Sequence, residues 1–481
     1  MMSGNQFELK VASEIGTLRR LLIHSPDSGL GKVVPSKAQD WLFEDIVHLD
    51  TIRKNEYDLY VKILLYFLDP EKVKGKIHII DSEENKRDFF KPDDNEFHSS
   101  ANVIELEQLL QQILHDKTIK TKLVASVCAI EGCNYQLQEE LLNTLPSDLA
   151  KIFISGSLSD DKMIFAPIPN LIFTRDIGVI INDHILINKP AKKARARETL
   201  LARYIFFNHP IFEHYRNNIL EIPDNTQYFL RPGEERGEKT TVEGGDVMIV
   251  SKDHLLIGWT ERTSSSGASE IIKMLFEREV IKKATVIKIP HKRDFMHIDT
   301  VFSQIKRNMW VVLRSISSQE VFKGNEPIDY LSGKRNTEKP EIIQFERGNI
   351  NHPVKFDSIE ELLDDISRND LKSTSDTEFI YSGNDIFPFD SREQWTDSCN
   401  LLAIKEGVVL GYDRNDKTIE AFRNKGFNII KASELLQKFE TNELSPDVVT
   451  DTLILIPSSE LSRARGGFHC MSMPLFREDL S

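Results

Sequence analysis

The chain has 481 residues, 40% hydrophobic and 28% charged, which is ample apolar material for one large core or two. Its formal net charge of −14 argues against nucleic acid or an anionic membrane as partner, and is compatible with a cationic small substrate. MMSGNQFELKVASEIG shows no basic segment followed by an apolar one, and apolar runs such as 179–187 fall far short of the roughly 20 residues of a membrane span, so a cytoplasmic protein is expected.

In chain order, LRRLLIHSP from Leu18 reads as a strand, TIRKNEYDLYVKILLYFL as a helix and KIHIID as a second strand. Between 100 and 157, ANVIELEQLLQQIL and YQLQEELLNTL space leucines at i, i+3 and i+4 with no strand signal between them, which predicts an inserted helical bundle. NLIFTRDIGVIINDHILIN predicts a hairpin turning at Asn182-Asp183, followed by helical ARARETLLARYIF. DVMIVSKDHLLIGW predicts a hairpin turning at Lys252-Asp253. SSSGASEIIKMLFEREV predicts a helix capped by a serine of 264–266, with Ile271, Ile272, Leu275 and Phe276 on one face, and ATVIKIP a third strand. FMHIDTVFSQIKRNMWVVLRS supplies another hairpin. Residues 318–388 are polar and read as a partly ordered insertion with one helix at Ser358–Arg368, where Ser358 and Glu361 fit a capping box. NLLAIKEGVVLGYD, KTIEAFRNKG and FNIIKA repeat the order strand, strand, helix, strand. A pattern that recurs without sequence identity predicts an α/β protein of ββαβ modules around an axis, ahead of a doubly wound sheet.

The chain has four cysteines, expected as free thiols; Cys128 and Cys133 are spaced C-x4-C without a second pair, so no metal is expected. Cys470 stands in RARGGFHCMSMP, where Arg463, Arg465 and His469 make a positive neighbourhood expected to favour the thiolate. Gly466-Gly467 leave room for unusual turns or a close approach of substrate. The alternative is a buried structural cysteine in a C-terminal strand. In DFMHIDTVF, His297 and Asp299 alternate and so share one face of a strand, as a general acid–base pair would; a surface histidine at a strand end is the alternative. VEGGDVMIV places Glu243 and Asp246 at a glycine turn leading into a buried strand. NLIFTRDIGVII places Asp176 beside Arg175, where a plain salt bridge would also explain the charges. One thiol, one histidine and several carboxylates suit attack on a guanidinium, a planar permanent cation that carboxylates grip in pairs.

PNLIFTRD, EGGDVMIV, LLIGWTERT, MHIDTVF, REQWTDSCNLLAI and RARGGFHCMSMPLFR occur in the order and spacing of arginine deiminases, which the chain resembles. SEIGTLRRLLIHSP and WLFEDI extend the resemblance toward the N-terminus, with 70–100 and 318–385 outside it. The resemblance implies a single catalytic unit over 1–481. This would be a five-fold pseudosymmetric β/α propeller of the guanidino-group-modifying superfamily, with an inserted helical subdomain over 100–157. It implies hydrolysis of L-arginine to L-citrulline and ammonia through a covalent cysteine-linked intermediate, with no metal or organic cofactor. Cys470 would be the nucleophile. His297 would protonate the leaving ammonia and then activate water, and Glu243 would handle protons and contact the guanidinium. Asp176 and Asp299 would grip the guanidinium nitrogens. Asn170, Arg195 and Arg262 would contact the substrate carboxylate, Arg465 would be a mobile arginine beside the nucleophile, and Asp246 would stand behind the substrate-binding residues. Ser398-Cys399 and Phe468 depart from the family pattern and are expected near the pocket mouth. The insertions are expected to cover the pocket or to build a contact between copies, which leaves a homo-oligomer open. The alternative activity is an amidinotransferase or a hydrolase of a modified guanidino compound on the same fold. A non-catalytic binding propeller is disfavoured by the presence of Cys470, His297 and the three carboxylates.

Overall fold

The computed structural model describes residues 7–43, 45–82, 100–159, 162–223, 239–317 and 340–480. It is a mixed α/β protein, and among the described residues the strands form five sheets of three to five strands and one two-stranded ribbon. In each of the larger sheets an antiparallel pair is joined by a parallel neighbour. The parallel neighbour is reached through helical chain, because parallel strands cannot be linked by a tight turn.

Gly178–Ile181 and His184–Ile187 form a hairpin, with Asn182 in the left-handed turn at φ 53°; Ala196–Asn208 is the helix and Ile219–Glu221 the parallel strand. Val247–Ser251, His254–Trp259 and Lys283–Lys288 repeat the pattern around helix Ser265–Glu277, whose Ser264 side chain accepts from the Gly267 amide as the expected cap. Phe302–Lys306 and Met309–Val312 form the next hairpin, and its parallel strand is Glu378–Tyr381. Leu402–Lys405 and Val408–Tyr412 form another, followed by helix Asp416–Asn424. In the remaining sheet the pair is made from the two ends of the chain. Leu18–Ile23 runs antiparallel to Met473–Arg477, with Leu22 opposite Met473, and parallel to Val103–Glu105. Three clusters of buried aliphatic and aromatic side chains lie under these sheets.

The helical segment consists of Leu106–Ile113, Lys117–Glu131, Tyr135–Asn143 and Pro146–Ser155. Its boundaries are chemically explicit. Asp116 and Asn134 cap two N-termini, Pro146 opens the last helix, and Gly132 and Gly156 end two helices in the left-handed conformation. The segment is tied to Ala196–Asn208 by Arg197 Nε donating to the Phe153 carbonyl at 2.8 Å.

Four sequence expectations change. KIHIID holds the short helix Ile77–Ile80, and the parallel strand of the first sheet is Val103–Glu105, inside the segment read as wholly helical. Three residues are too few to show a period. FNIIKA is a strand, Asn428–Lys431, but it lies at the sheet edge, and Thr452–Ile456 takes the place beside Val408–Tyr412. Residues 340–388 are built into the sheets instead of being appended: Glu341–Glu346 and Val354–Phe356 extend one sheet, and Glu378–Tyr381 completes another. The rest of that expected insertion, 318–339, lies outside the described residues. The Ser358 helix runs Ile359–Asp365; Ser358 Oγ accepts from the Glu361 amide, but Glu361 caps the Asp357 amide, so the box is only half made. Among the described residues no helix is long and apolar enough to cross a membrane.

Candidate active site

The turn just before one strand of each antiparallel pair is where the chain places its reactive residues. Asp176 lies in the 3-10 turn Thr174–Ile177 before Gly178, and Glu243 and Asp246 flank the turn before Val247. His297 precedes and Asp299 lies within the turn Ile298–Thr300 before Phe302, and Cys470 precedes Met473. His297 and Asp299 are therefore turn residues, not strand neighbours. The apolar alternation that suggested a strand begins only at Phe302. The glycines of EGGD are there for proximity: a Cβ on Gly245 would lie 2.6 Å from His297 Nδ1. Gly467 likewise makes room for the Asn400 backbone, 2.3 Å from where its Cβ would be, rather than for a substrate.

Of these buried side chains, Cys470, His297, Glu243 and Asp176 line one pocket, and Asp299 is not in its lining. His297 Nε2 is 3.1 Å from Glu243 Oε2. Burial works against the imidazolium, but Asp176, the bond to Glu243 and the nearby Asp246 overcome it and push the His297 pKa up to about 10. Burial would raise Glu243, but Arg195, His297 and Arg262 hold it far below the usual carboxylate range. Cys470 Sγ is 3.5 Å from Asp299 Oδ2. Its thiol is pushed well up by burial and by the charges of Asp299, Asp176 and Asp397, which outweigh the positive neighbourhood expected from the sequence. Arg463 points away and pairs with Asp45 at 3.0 Å. What surrounds the sulfur is mainly carboxylate, which suits a cationic substrate.

The expected substrate-binding residues divide. Asn170 and Arg262 line the pocket; Asn170 Nδ2 donates to the Trp41 carbonyl at 2.9 Å, and Arg262 lies 4.0 Å from Glu243. Arg465 also lines it, at φ 62°, with its guanidinium carbon 3.3 Å from the Trp395 ring centroid. Leu42 and Asp397, at φ 58° and 61°, share that left-handed backbone, so strained non-glycine residues gather at the pocket. Asp246 is not in the lining. It accepts from Thr260 Oγ1 at 2.7 Å and from the Ile298 amide at 3.0 Å, and so fixes the turn that carries His297 and Asp299. Arg195 departs most from expectation. Its Nη1 lies 2.8 Å from Asp176 Oδ2 and 3.3 Å from Glu243 Oε2, while Glu198 holds its other edge at 2.8 Å. A guanidinium of the protein thus occupies the carboxylates expected to take the substrate's guanidinium. Glu198, which shares this cation with two other carboxylates, is left with its pKa pushed by burial up to about 7.

Several residues were not found by sequence reasoning. Asn400 Oδ1 accepts from the Cys470 amide at 3.0 Å, and its Nδ2 donates to the Asp299 carbonyl at 3.2 Å. Its position before Leu402 matches that of the other site residues and was the available signal. Asp397 lines the pocket, and burial pushes its pKa up to about 7 although Arg465 is near. Glu14 stands behind Asp299, joined to it through His469, which the sequence placed only as a charge beside Cys470. The departures from the family pattern lie away from the pocket mouth. Ser398 bonds Ser382, Cys399 is in a core cluster, and Phe468 packs between the rings of Tyr60 and Tyr412, each 4.9 Å away.

Asp176, Glu243 and His297 hold ligand atoms within 4.8 Å of one another, near enough to bind a metal ion. Arg195 already bonds both carboxylates there and His297 faces Glu243, so that charge is met by the protein's own cations.

Residues 137–477 match the family described as "Arginine deiminase". Curated arginine deiminases of Staphylococcus aureus are similar along the whole chain. That of strain JH9 is 31% identical over 98% of this chain and 99% of its own, and that of strain Newman 30% over the same shares. Among solved structures, an amidinotransferase from Microseira wollei covers 98% of both chains at 12% identity and a TM-score of 0.42. A Pseudomonas aeruginosa DDAH bound to citrulline covers 63% of this chain and 76% of its own at 15% identity and a TM-score of 0.35. With its reactive residues gathered in one pocket and a match along nearly its whole length, the chain belongs to the arginine deiminase family.

Proposed function

We propose that this chain hydrolyses L-arginine to L-citrulline and ammonia, with Cys470 as the nucleophile. The observation that carries the reading is that Arg195 lies in the grip of Asp176 and Glu243, within the pocket that Cys470 and His297 line. That clamp fits a guanidinium. Asp299 Oδ1, buried and without a hydrogen-bond partner among the described residues, is a further acceptor for its N–H groups.

The chemistry follows from the charges. The arriving cation offsets the carboxylates that keep the thiol protonated, so Cys470 gives its proton to solvent and the thiolate adds to the guanidinium carbon. His297, an imidazolium at neutral pH, gives its proton to the departing nitrogen, and ammonia leaves a cysteine-linked thiouronium. The now neutral His297 takes a proton from water, which adds to the same carbon. The C–S bond then breaks, the hydroxyl proton passes to the departing sulfur, and citrulline is released with Cys470 a thiol and His297 an imidazolium again. Arg195 exchanges the two carboxylates for the substrate's α-carboxylate, with Arg262 and Asn170 beside it. Placement of one turn per sheet at a shared pocket supports five modules around an axis, a single catalytic unit over the chain, and the helices of 106–155 as an inserted subdomain.

Incubation of purified protein with arginine, agmatine, methylated arginines and peptide-bound arginine, scoring ureido product and ammonia, tests the reading. Cys470→Ala is expected to abolish citrulline formation, and near-normal turnover by that variant overturns the mechanism. A new guanidine formed from an added amine, with no ammonia, would point to amidino transfer instead.

A further inference from the structure

Behind Cys470 and Asp299 runs a buried chain of alternating charges whose further members, His469, Glu14 and Arg175, the mechanism above leaves unused. Asp299 Oδ2 faces Cys470 Sγ at 3.5 Å and His469 Nδ1 at 2.9 Å. The other ring nitrogen, His469 Nε2, faces Glu14 Oε2 at 3.2 Å, and Glu14 in turn lies 3.5 Å from Arg175 Nη2. All five residues are buried. A neutral imidazole has one donor and one acceptor nitrogen, so it would set a lone pair against one of the two carboxylates; only the imidazolium satisfies both. The carboxylates suit that role. Burial would raise Glu14, but Arg175 and the bond to His469 bring it down to about 2. Burial is likewise outweighed at Asp299, by His469 and then His297. Asp299, Asp176 and Asp397 are the carboxylates that oppose the thiolate, Arg195, Arg262, His297 and Arg465 line the same pocket, and His469 is the group paired with the nearest carboxylate.

We propose that His469, clamped between Asp299 and Glu14, is a positioning residue that acts as a fixed cation behind the nucleophile. It holds Asp299 Oδ2 between ring and sulfur and leaves Oδ1 for the substrate guanidinium. It also offsets the carboxylate charge that opposes ionisation of Cys470. Glu14 is the anchor that keeps the ring charged and oriented. The N-terminal segment thereby contributes to the site without touching substrate. The inference rests on Cys470 being the nucleophile.

The test is the pH dependence of Cys470 alkylation by iodoacetamide in the substrate-free enzyme, with the modified cysteine identified by peptide mass. The thiolate displaces iodide to form a thioether, and its proton has gone to the buffer. His469→Asn keeps an N–H toward Asp299 and removes the charge. Its alkylation midpoint is expected about one pH unit or more above that of the unaltered protein, with kcat lowered more than KM is raised. Glu14→Gln is expected to move the midpoint in the same direction by less. A purely structural role would lower the melting temperature and leave the midpoint in place; an unmoved midpoint in folded His469→Asn overturns the inference. Should the variants not fold, nitrogen-15 spectra of histidine-labelled unaltered protein decide. Both His469 nitrogens are expected to be protonated at pH 7, and a neutral ring overturns the inference. Turnover by Cys470→Ala would remove the nucleophile assignment itself, whereas an unmoved midpoint with Cys470 confirmed as nucleophile removes only the role of His469.

Discussion

Arg195 and the substrate compete for the same oxygens, and Arg195→Met exposes that competition from the protein's side. Methionine keeps much of the volume and removes the charge. The buried guanidinium is shared by Asp176, Glu198 and Glu243 at 2.8, 2.8 and 3.3 Å. Removing one partner of a buried ion pair costs about 3–5 kcal/mol. Glu198 provides the relief. Its folded pKa of about 7 lies above its unfolded value, so the stability it contributes is complete below about pH 4.5 and is lost as pH rises through 7. Without Arg195 that value rises further, and the loss extends to higher pH. Near pH 6 Glu198 carries a proton and the substitution is expected to cost about 3 kcal/mol. Near pH 8.5 it must ionise without its partner or stay protonated at about 1.4 kcal/mol per unit, and the cost is expected nearer about 5 kcal/mol.

The measurement is urea unfolding in a Cys470→Ala background at the two pH values, comparing midpoints at unchanged slope. Millimolar methylguanidinium is expected to restore part of the loss in the variant and to do little for the unaltered clamp, which is already filled. A cost below about 1 kcal/mol, or one equal at both pH values, would refute the idea that Arg195 neutralises a carboxylate clamp.

Phe468→Ala, which empties a buried position between Tyr60 and Tyr412, is expected to cost about 3–5 kcal/mol in unfolding experiments while leaving KM for arginine within two- to three-fold; a KM change of ten-fold or more would return Phe468 to the pocket. His297 has a folded pKa raised to about 10, so its stabilising pairing with Glu243 is fully present below about pH 6.5 and is lost as pH rises through 10. The melting-temperature gap between the unaltered protein and His297→Gln is expected to be widest near pH 6 and to shrink toward pH 10, and a gap that widens with pH would contradict the pairing.

Much of the site was legible because its residues carry charge next to strongly apolar strands. TRDIGVII, EGGDVMIV and MHIDTVF each set an ionisable side chain against a run that must be buried, and burial of a charge demands an explanation. Asn400 occupies the equivalent place in its own hairpin but is uncharged, so it raised no such demand. Glu14 was missed, and His469 was read only as a charge beside Cys470, for another reason: their pairing spans 455 positions and spacing does not reveal it. Among the elements, hairpins marked by two long apolar runs were found, and the three-residue strand Val103–Glu105 was not. The polar composition of 340–388 concealed strands because Glu341–Glu346 and Val354–Phe356 lie at the outer side of a sheet, where one face meets solvent.

The charge balance of the pocket also bears on which guanidine is accepted. Before substrate arrives, Arg195 already answers Asp176 and Glu243, so binding is an exchange of one guanidinium for another and its free energy is a difference. The displaced Arg195 remains in a buried region and needs a new anion. L-Arginine brings one as its α-carboxylate; agmatine brings the same guanidinium without it. For agmatine the exchange leaves a buried cation short of a partner, a penalty of about 3–5 kcal/mol. That corresponds to a loss of about 10²–10³-fold or more in kcat/KM. Ureido product from the two substrates at equal concentration measures it, and agmatine turned over within ten-fold of arginine would refute the exchange. In Arg195→Met the clamp has no resident cation to displace, so selectivity between the two substrates is expected to narrow even as turnover falls. Discrimination would then reside in the resident arginine that the substrate must satisfy, more than in the shape of the pocket.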